Sequence, residues 1–412
     1  MKLLHISLDN YKCFERNTTL KIAPMTVIVG CNNSGKSALL KSIHLLSSSI
    51  LQSDEIAHLP LNLSSNGILH GKTFRDLISG RSSNGVIKLT ALMRKESTDI
   101  ELSVKIQNVL RSSNATKYDV CIMFWRIKYG DQFIEVIRDE LSEKSSYTVS
   151  ESSINDVRQS IIWKGLLPER PNRLPEWVNE QIDCMKAWAK KVHYLQSPRI
   201  FQSSGLNMNE SISGELESIG AHTPFILADS DDLQRSVNQW YSNAFGINIS
   251  VRKYGEYFDL MIGNRNNKSD VLLEQSGEGL LQILPIVAKA FSSDSGNSLD
   301  IIEHPESDLH PSAHGEVADL MMKSLSNHHR SLIIETHSEM MLLRIRRWVI
   351  EKKLKSSEVV IYWVQPESLG GSTIKKITIN KRGELSSWPE GVFTEDYEEV
   401  LAIRRALRKL EE

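Results

Sequence analysis

Three clusters in this sequence have residue types and spacing suited to phosphate chemistry. The first is Gly30-Cys31-Asn32-Asn33-Ser34-Gly35-Lys36-Ser37, a G-x-x-x-x-G-K-S pattern. Glycines so spaced let a backbone wrap closely around phosphate oxygens, and free N–H groups at a helix N-terminus favour an anion there. Lys36 has the charge and reach for β- and γ-phosphates, and the Ser37 hydroxyl suits Mg²⁺. The second cluster, Ser276-Gly277-Glu278-Gly279, precedes an apolar run from 280 to 287. A glycine turn before a helix again presents N–H groups to an anion, although an ordinary helix cap looks the same. The third is a pair of strand tips. Leu299-Asp300-Ile301-Ile302 leads into Glu303-His304-Pro305-Glu306, and Ser331-Leu332-Ile333-Ile334 leads into Glu335-Thr336-His337-Ser338. A carboxylate at the tip of a buried strand downstream of a P-loop, here Glu303, has the position of the acid that holds Mg²⁺. His337 can donate to a γ-phosphate; a loop histidine satisfied by its surroundings is the plain alternative.

The elements that must position these groups follow from periodicity. Residues 25–29 are β-rich and apolar, and Leu39, Leu40, Ile43, Leu46 and Ile50 recur at helical spacing, so the loop stands between strand and helix. Leu4, Ile6 and Leu8 alternate, as do Leu20 and Ile22, which predicts two earlier strands. Between them, 10–14 presents Tyr11, Lys12 and Phe14, either an adenine contact or a turn with a packed aromatic. Alternating runs at 87–91, 100–106, 122–127 and 133–137 predict an antiparallel sheet. Further on, helices are expected over 176–191 and 231–245 and a hairpin around Gly255. Pro311 should sit in the first turn of a helix, and Ser338 should cap another. The basic run from Arg344 to Lys355 reads as cations near a helix C-terminus. Closing strands are expected at 359–364 and 374–379, and a charged helix over 395–412.

With 412 residues, the chain can bury a large core in two or three subdomains. A net charge of -2 gives no global case for nucleic acid or an anionic membrane. The four cysteines, Cys13, Cys31, Cys121 and Cys184, lack metal-ligand spacing and read as reduced thiols in a cytoplasmic protein. No apolar run reaches membrane-spanning length, and no signal-peptide pattern opens the sequence, so no membrane is expected.

Taken in order, the GxxxxGKS loop, SGEG before a helix with Gln282 and Pro285, Glu303 to Pro311 as E-x-P-E-x-x-L-H-P, and Thr336-His337-Ser338 resemble one family. It is the ATP-binding-cassette type of AAA ATPase found in overcoming-lysogenization-defect and structural-maintenance-of-chromosomes (SMC) proteins. Residues 194–199 and 388–391 are also similar to parts of one of its subgroups. The resemblance implies an α/β P-loop NTPase of ABC-ATPase type: a mixed central sheet, an antiparallel β-subdomain and a helical insertion. It implies an N-terminal half over 1–107, an insertion and lid over 108–265, and a C-terminal half over 266–412. The implied cofactors are ATP and Mg²⁺. Gly30, Asn32, Asn33, Ser34, Gly35, Lys36 and Ser37 would bind nucleotide, with Ser276, Gly277 and Gly279 as the signature turn. Ser37 and Glu303 would hold the metal, and Glu303, His304, Glu306 and His337 would carry catalysis.

This sequence departs from the family where a second acid commonly follows Glu303: His304 stands there. Glu306 or His304 then takes the base role, or hydrolysis is slow; no Q-loop glutamine is evident. About 75 residues follow His337, short for a TOPRIM nuclease domain, and no Asp-x-Asp occurs among them. The expected partners are therefore a second copy, in a homodimer through ATP-sandwiched heads or a higher oligomer, and a separate effector such as a nuclease. DNA transactions or antiphage defence follow by analogy, and DNA remains a candidate ligand. An ATP-dependent scaffold or switch with negligible turnover is the alternative, and a transporter ATPase a weaker third.

Overall fold

The computed structural model describes residues 1–52, 59–110, 118–139, 146–151, 154–170, 173–210, 218, 220–264, 270–292, 297–328, 330–368, 370–387, 399 and 403–404. Residues 388–391 and most of the helix expected over 395–412 lie outside them.

A mixed six-stranded sheet carries the P-loop strand and both strand tips. Its order is Val192–Leu195, Leu299–Glu303, Ser331–Glu335, Met25–Gly30, Val359–Pro366 and Ser372–Ile377. The first five strands are parallel and the last is antiparallel to its neighbour. Every residue of Met25–Gly30, Leu299–Glu303 and Ser331–Glu335 is buried. Continuous apolar runs are what a parallel strand covered on both faces needs.

The alternation of side chains assigns the two faces. Ile28, Ile301, Ile333 and Val360 face the P-loop helix Lys36–Ile50, whose Leu39, Leu40, Ile43 and Leu46 share one core with them. Val27, Val29, Ile302, Ile334 and Ile361 face the opposite core, built by helices Asp231–Phe245, Glu278–Phe291, Pro311–His328 and Glu339–Ile350. Each such fully buried aliphatic contributes roughly 1.5–3 kcal/mol relative to exposure, so the strand tips stand on a stiff platform.

The P-loop helix also packs on a second sheet, antiparallel and eight-stranded. It runs Ile154–Ser160, Ser146–Glu151, Gln132–Arg138, Tyr118–Tyr129, Thr98–Leu110, Val86–Lys95, Lys2–Asp9 and Thr18–Lys21. The antiparallel subdomain is thus larger than the alternating runs indicated, since it also recruits the first two strands of the chain. Thr98–Leu110 passes through position 107, so the sheet does not divide at the expected boundary between 107 and 108. Helices Glu176–Ala189, Thr223–Asp229 and Asp231–Phe245 form the helical insertion, followed by the hairpin Ile247–Tyr254 and Tyr257–Asn264.

The 10–14 segment is the turn with packed aromatics. Tyr11 and Phe14 exchange backbone hydrogen bonds and are fully buried, so neither ring offers a face to a base. The turn instead underlies the P-loop: a Cβ on Gly35 would lie 2.3 Å from Cys13 Sγ. Gly35 has φ 98, a left-handed conformation that favours glycine, and it leads directly into the P-loop helix.

Candidate functional site

Strand register decides which carboxylate meets the P-loop. Ser331–Glu335 lies between Met25–Gly30 and Leu299–Glu303, with Glu335 opposite Ile28 on one side and Glu303 on the other. Glu335 therefore stands beside the loop and Glu303 stands one strand further away. The Ser37 hydroxyl donates to Glu335 Oε2 at 3.1 Å, with Oε1 at 3.4 Å. Lys36 Nζ donates to the Cys31 carbonyl at 2.8 Å and lies 3.8 Å from Glu335 Oε1. Burial, reinforced by the neighbouring Glu303, pushes the Glu335 carboxyl up to about 7 despite Lys36. Burial likewise lowers the Lys36 ammonium, against the pull of Glu335.

Glu303 is held on the far side. It accepts from the Tyr194 hydroxyl at 2.5 Å and from the Ser197 N–H at 3.3 Å. Burial and this carboxylate drive the Tyr194 phenol well above its usual range, so it acts as a fixed donor. Beneath them lies Arg199, with 0% exposure. Its guanidinium donates to the carbonyls of Gln282 at 2.8 Å, Glu303 at 2.7 Å, His304 at 2.9 Å and Gln196 at 3.1 Å. Burial lowers its pKa to about 10, which leaves it charged at neutral pH. Five donors on a planar fork let one side chain tie the Glu303 tip to the signature helix. Gln282 extends the tie by donating to Asp308 Oδ2 at 2.6 Å.

Glu306 joins the two strand tips. One of its oxygens accepts from Thr336 Oγ1 and from the His337 N–H, both at 2.8 Å. Its other oxygen is buried without a partner. His304 has φ 42, and its N–H donates to the Glu335 carbonyl at 2.9 Å. Its imidazole stacks on His337, with centroids 5.1 Å apart and planes at 18°. Burial lowers the pKa of both rings.

Among the nucleotide candidates, Asn32 and Asn33 are exposed, and Asn33 has φ 60. Ser34 is buried with an unpartnered hydroxyl. An orphaned hydroxyl, a buried ammonium and the free first-turn N–H groups of a helix together fit a phosphate. The hydroxyl–carboxylate pair of Ser37 and Glu335 is an oxygen donor set of the kind a hard cation takes. Ser276 is committed elsewhere, donating to the Leu273 carbonyl at 2.6 Å. Gly277 is the exposed N-cap of Glu278–Phe291, and a Cβ there would meet nothing within 4 Å. It opens on a cavity of about 530 Å³ shared with Phe245, Gly279, Asp308 and His310, to which the P-loop contributes no lining residue among those described.

The structure thus brings together Lys36, Ser37, His304 and His337 around Glu335, a residue that spacing alone did not single out. Glu303 belongs to an adjoining network with Tyr194 and Arg199. The available signal was that SLIIE repeats the pattern of LDIIE, an apolar strand ending in glutamate.

A family model described as AAA ATPase domain matches residues 1–342. The chain belongs to this AAA ATPase family. No curated protein gives a significant match. Among solved structures, the SmcHead crystallised with the C-winged helix domain of ScpA has a TM-score of 0.51 at 12% identity, over 92% of this chain and 99% of that one. An Smc head with an extended coiled coil, bound to the C-terminal domain of ScpA derived from Pyrococcus furiosus, scores 0.49 at 11% identity, covering 99% of each chain. The SMC head domain from Thermotoga maritima scores 0.44 at 12% identity, over 91% and 98%. The first supports the fold: this AAA ATPase has an α/β P-loop NTPase fold of ABC-ATPase type, like that SmcHead. No helix among the described residues is long and apolar enough to cross a membrane.

Proposed function

We propose that this chain is a cytoplasmic ABC-type ATPase that closes as a homodimer around two ATP molecules and thereby controls a separate effector. The observation that carries the dimer is the open turn at Gly277. A helix N-terminus directed into a cavity without P-loop residues has N–H groups and a positive dipole end to offer. A second copy related by a two-fold axis brings its own nucleotide to that turn, and each site then has one half from each subunit.

Within one site, Lys36 and the loop N–H groups bind the phosphates. Ser37 and Glu335 would hold Mg²⁺, which supplies charge neutralisation when bound. A bound phosphate would compete with the Cys31 carbonyl and Glu335 for Lys36. His337, on a loop held by Glu306, would be the donor to the terminal phosphate.

The alternative of a switch with negligible turnover also has specific support. His304 occupies the usual base position, and one Glu306 oxygen is engaged by Thr336 and His337. The effector is proposed to be a nuclease or another DNA-acting protein in antiphage defence or DNA transactions. Steady-state phosphate release, with and without DNA, measured beside ATP-dependent sedimentation separates the readings. Dimerisation with turnover supports the ATPase, dimerisation without turnover supports the switch, and a wild type that stays monomeric in ATP removes the sandwich.

A further inference from the structure

We propose that His304, Glu335 and His337 form a binding site for a divalent transition metal of the Zn²⁺ class, distinct in chemistry from the Mg²⁺ that accompanies ATP. One ligand atom from each residue can be chosen so that all three lie within 4.8 Å of one another. His304 Nε2 is 3.8 Å from Glu335 Oε1, and the two imidazoles lie nearly parallel, with planes at 18°. Around a tetrahedral ion with bonds of about 2.1 Å, ligand atoms sit about 3.4 Å apart, so small side-chain rotations close the set.

The donor chemistry selects the ion. Two imidazoles and one carboxylate suit Zn²⁺, Co²⁺ or Ni²⁺, whereas Mg²⁺ prefers an all-oxygen, largely hydrated shell. Three protein ligands leave a fourth position for solvent or substrate, the arrangement of reactive rather than closed structural zinc sites.

The backbone already fixes two of the ligands. His304 takes φ 42, uncommon outside glycine, and its N–H is anchored on the Glu335 carbonyl. The His337 N–H is anchored on Glu306. The Ser37 hydroxyl donates to Glu335, at 3.1 Å to Oε2 and 3.4 Å to Oε1, the kind of outer hydrogen bond that orients a ligating carboxylate. His337 is exposed and His304 half-buried, so an ion has a way in. Because Glu335 also faces Lys36, occupancy of the site alters the partners of the P-loop lysine.

The proposal does not rest on the nucleotide reading and is tested without ATP. Chelator-treated full-length protein is titrated with Co²⁺, following visible d–d absorption, and then with Zn²⁺ in competition. One equivalent per chain should bind with a d–d spectrum and without the intense near-ultraviolet band of thiolate ligation. His304→Asn, which suits the left-handed backbone, His337→Asn and Glu335→Gln should each weaken binding at least tenfold. Cys31→Ser should retain it. Circular dichroism establishes that each variant is folded, and two folded variants with losses are sufficient support. No Co²⁺ or Zn²⁺ binding by the wild type, a thiolate spectrum, or wild-type affinity in the folded histidine variants overturns the assignment. ATP binding by the same preparations, measured separately, reports on the P-loop independently.

Discussion

Gly277 allows the paired-head reading to be tested with little disturbance of the fold. It is an exposed N-cap with φ -65 and ψ 137, and an added Cβ meets nothing within 4 Å. Asp and Asn are both favoured N-caps, so either should leave stability within about 1 kcal/mol of wild type. They differ in charge. If the turn faces a phosphate of the partner's nucleotide, one unit charge about 6 Å away at an effective dielectric near 20 costs about 3 kcal/mol. A two-fold dimer has two such sites, so Gly277→Asp should weaken ATP-dependent dimerisation by about 5–6 kcal/mol, roughly 10⁴-fold in Kd. Gly277→Asn should change it less than about tenfold, equivalent to 1.4 kcal/mol. Sedimentation velocity over a concentration series with a non-hydrolysable ATP analogue measures both, and nucleotide binding by the monomer should survive in each. Gly279→Ala is the contrasting control two residues on. Its Cβ would lie 2.2 Å from the Asp308 carbonyl oxygen, a backbone atom that cannot step aside alone. It should lower unfolding stability by about 1–3 kcal/mol, as overpacking does. An Asp variant at 277 that dimerises as tightly as the Asn variant would refute the placement of that turn against nucleotide.

The other predictions concern single groups. Lys36→Ala should abolish ATP binding, read by calorimetry, with circular dichroism unchanged; retained affinity would sink the P-loop assignment. Glu335→Gln should weaken Mg²⁺-dependent nucleotide binding more than Glu303→Gln does, because Ser37 donates to Glu335; the reverse order would return the metal to Glu303. Glu306→Gln should reduce turnover while ATP stays bound if Glu306 is the base; normal turnover there with loss in His304→Asn would assign the base to His304. His44 and His70 share a buried hydrogen bond of 3.0 Å, with burial holding His44 down to about 4 and His70 to about 2. The unfolded chain protonates His44 near 6.5, so between 6.5 and 4 it binds the extra proton and stability falls as pH falls. Counting His44 alone, about 2 kcal/mol should be lost between pH 7.5 and 5, and chemical denaturation of a His44→Leu/His70→Leu double variant should lack that loss.

The parts of this site that the sequence discloses are those encoded by consecutive residues. The loop from Gly30 to Ser37 requires only the strand before it and the helix after it, and both are written in local periodicity. Ser338 as a cap and Pro311 as a helix opener are local in the same sense, and both elements begin there. The identity of the carboxylate beside Ser37 is different, because it depends on strand order across the sheet. LDIIE and SLIIE are equivalent as local patterns, and only the insertion of Ser331–Glu335 next to Met25–Gly30 brings Glu335 to the P-loop. The role of Arg199, at the end of the 194–199 run that resembles a family subgroup, was illegible for a related reason. An arginine after Ser-Pro looks like a surface cation until four carbonyls, contributed by three separate stretches of chain, converge on it. The same nonlocality explains how His304 is accommodated where a second acid is usual. Glu303, Glu306 and Glu335 already place three carboxyl groups on two adjacent strand tips. A fourth acid at 304 would have added charge where burial and Glu303 already push Glu335 up to about 7. With Glu335 beside Ser37, an imidazole at 304 adds no further carboxylate to that cluster and stacks on His337 instead.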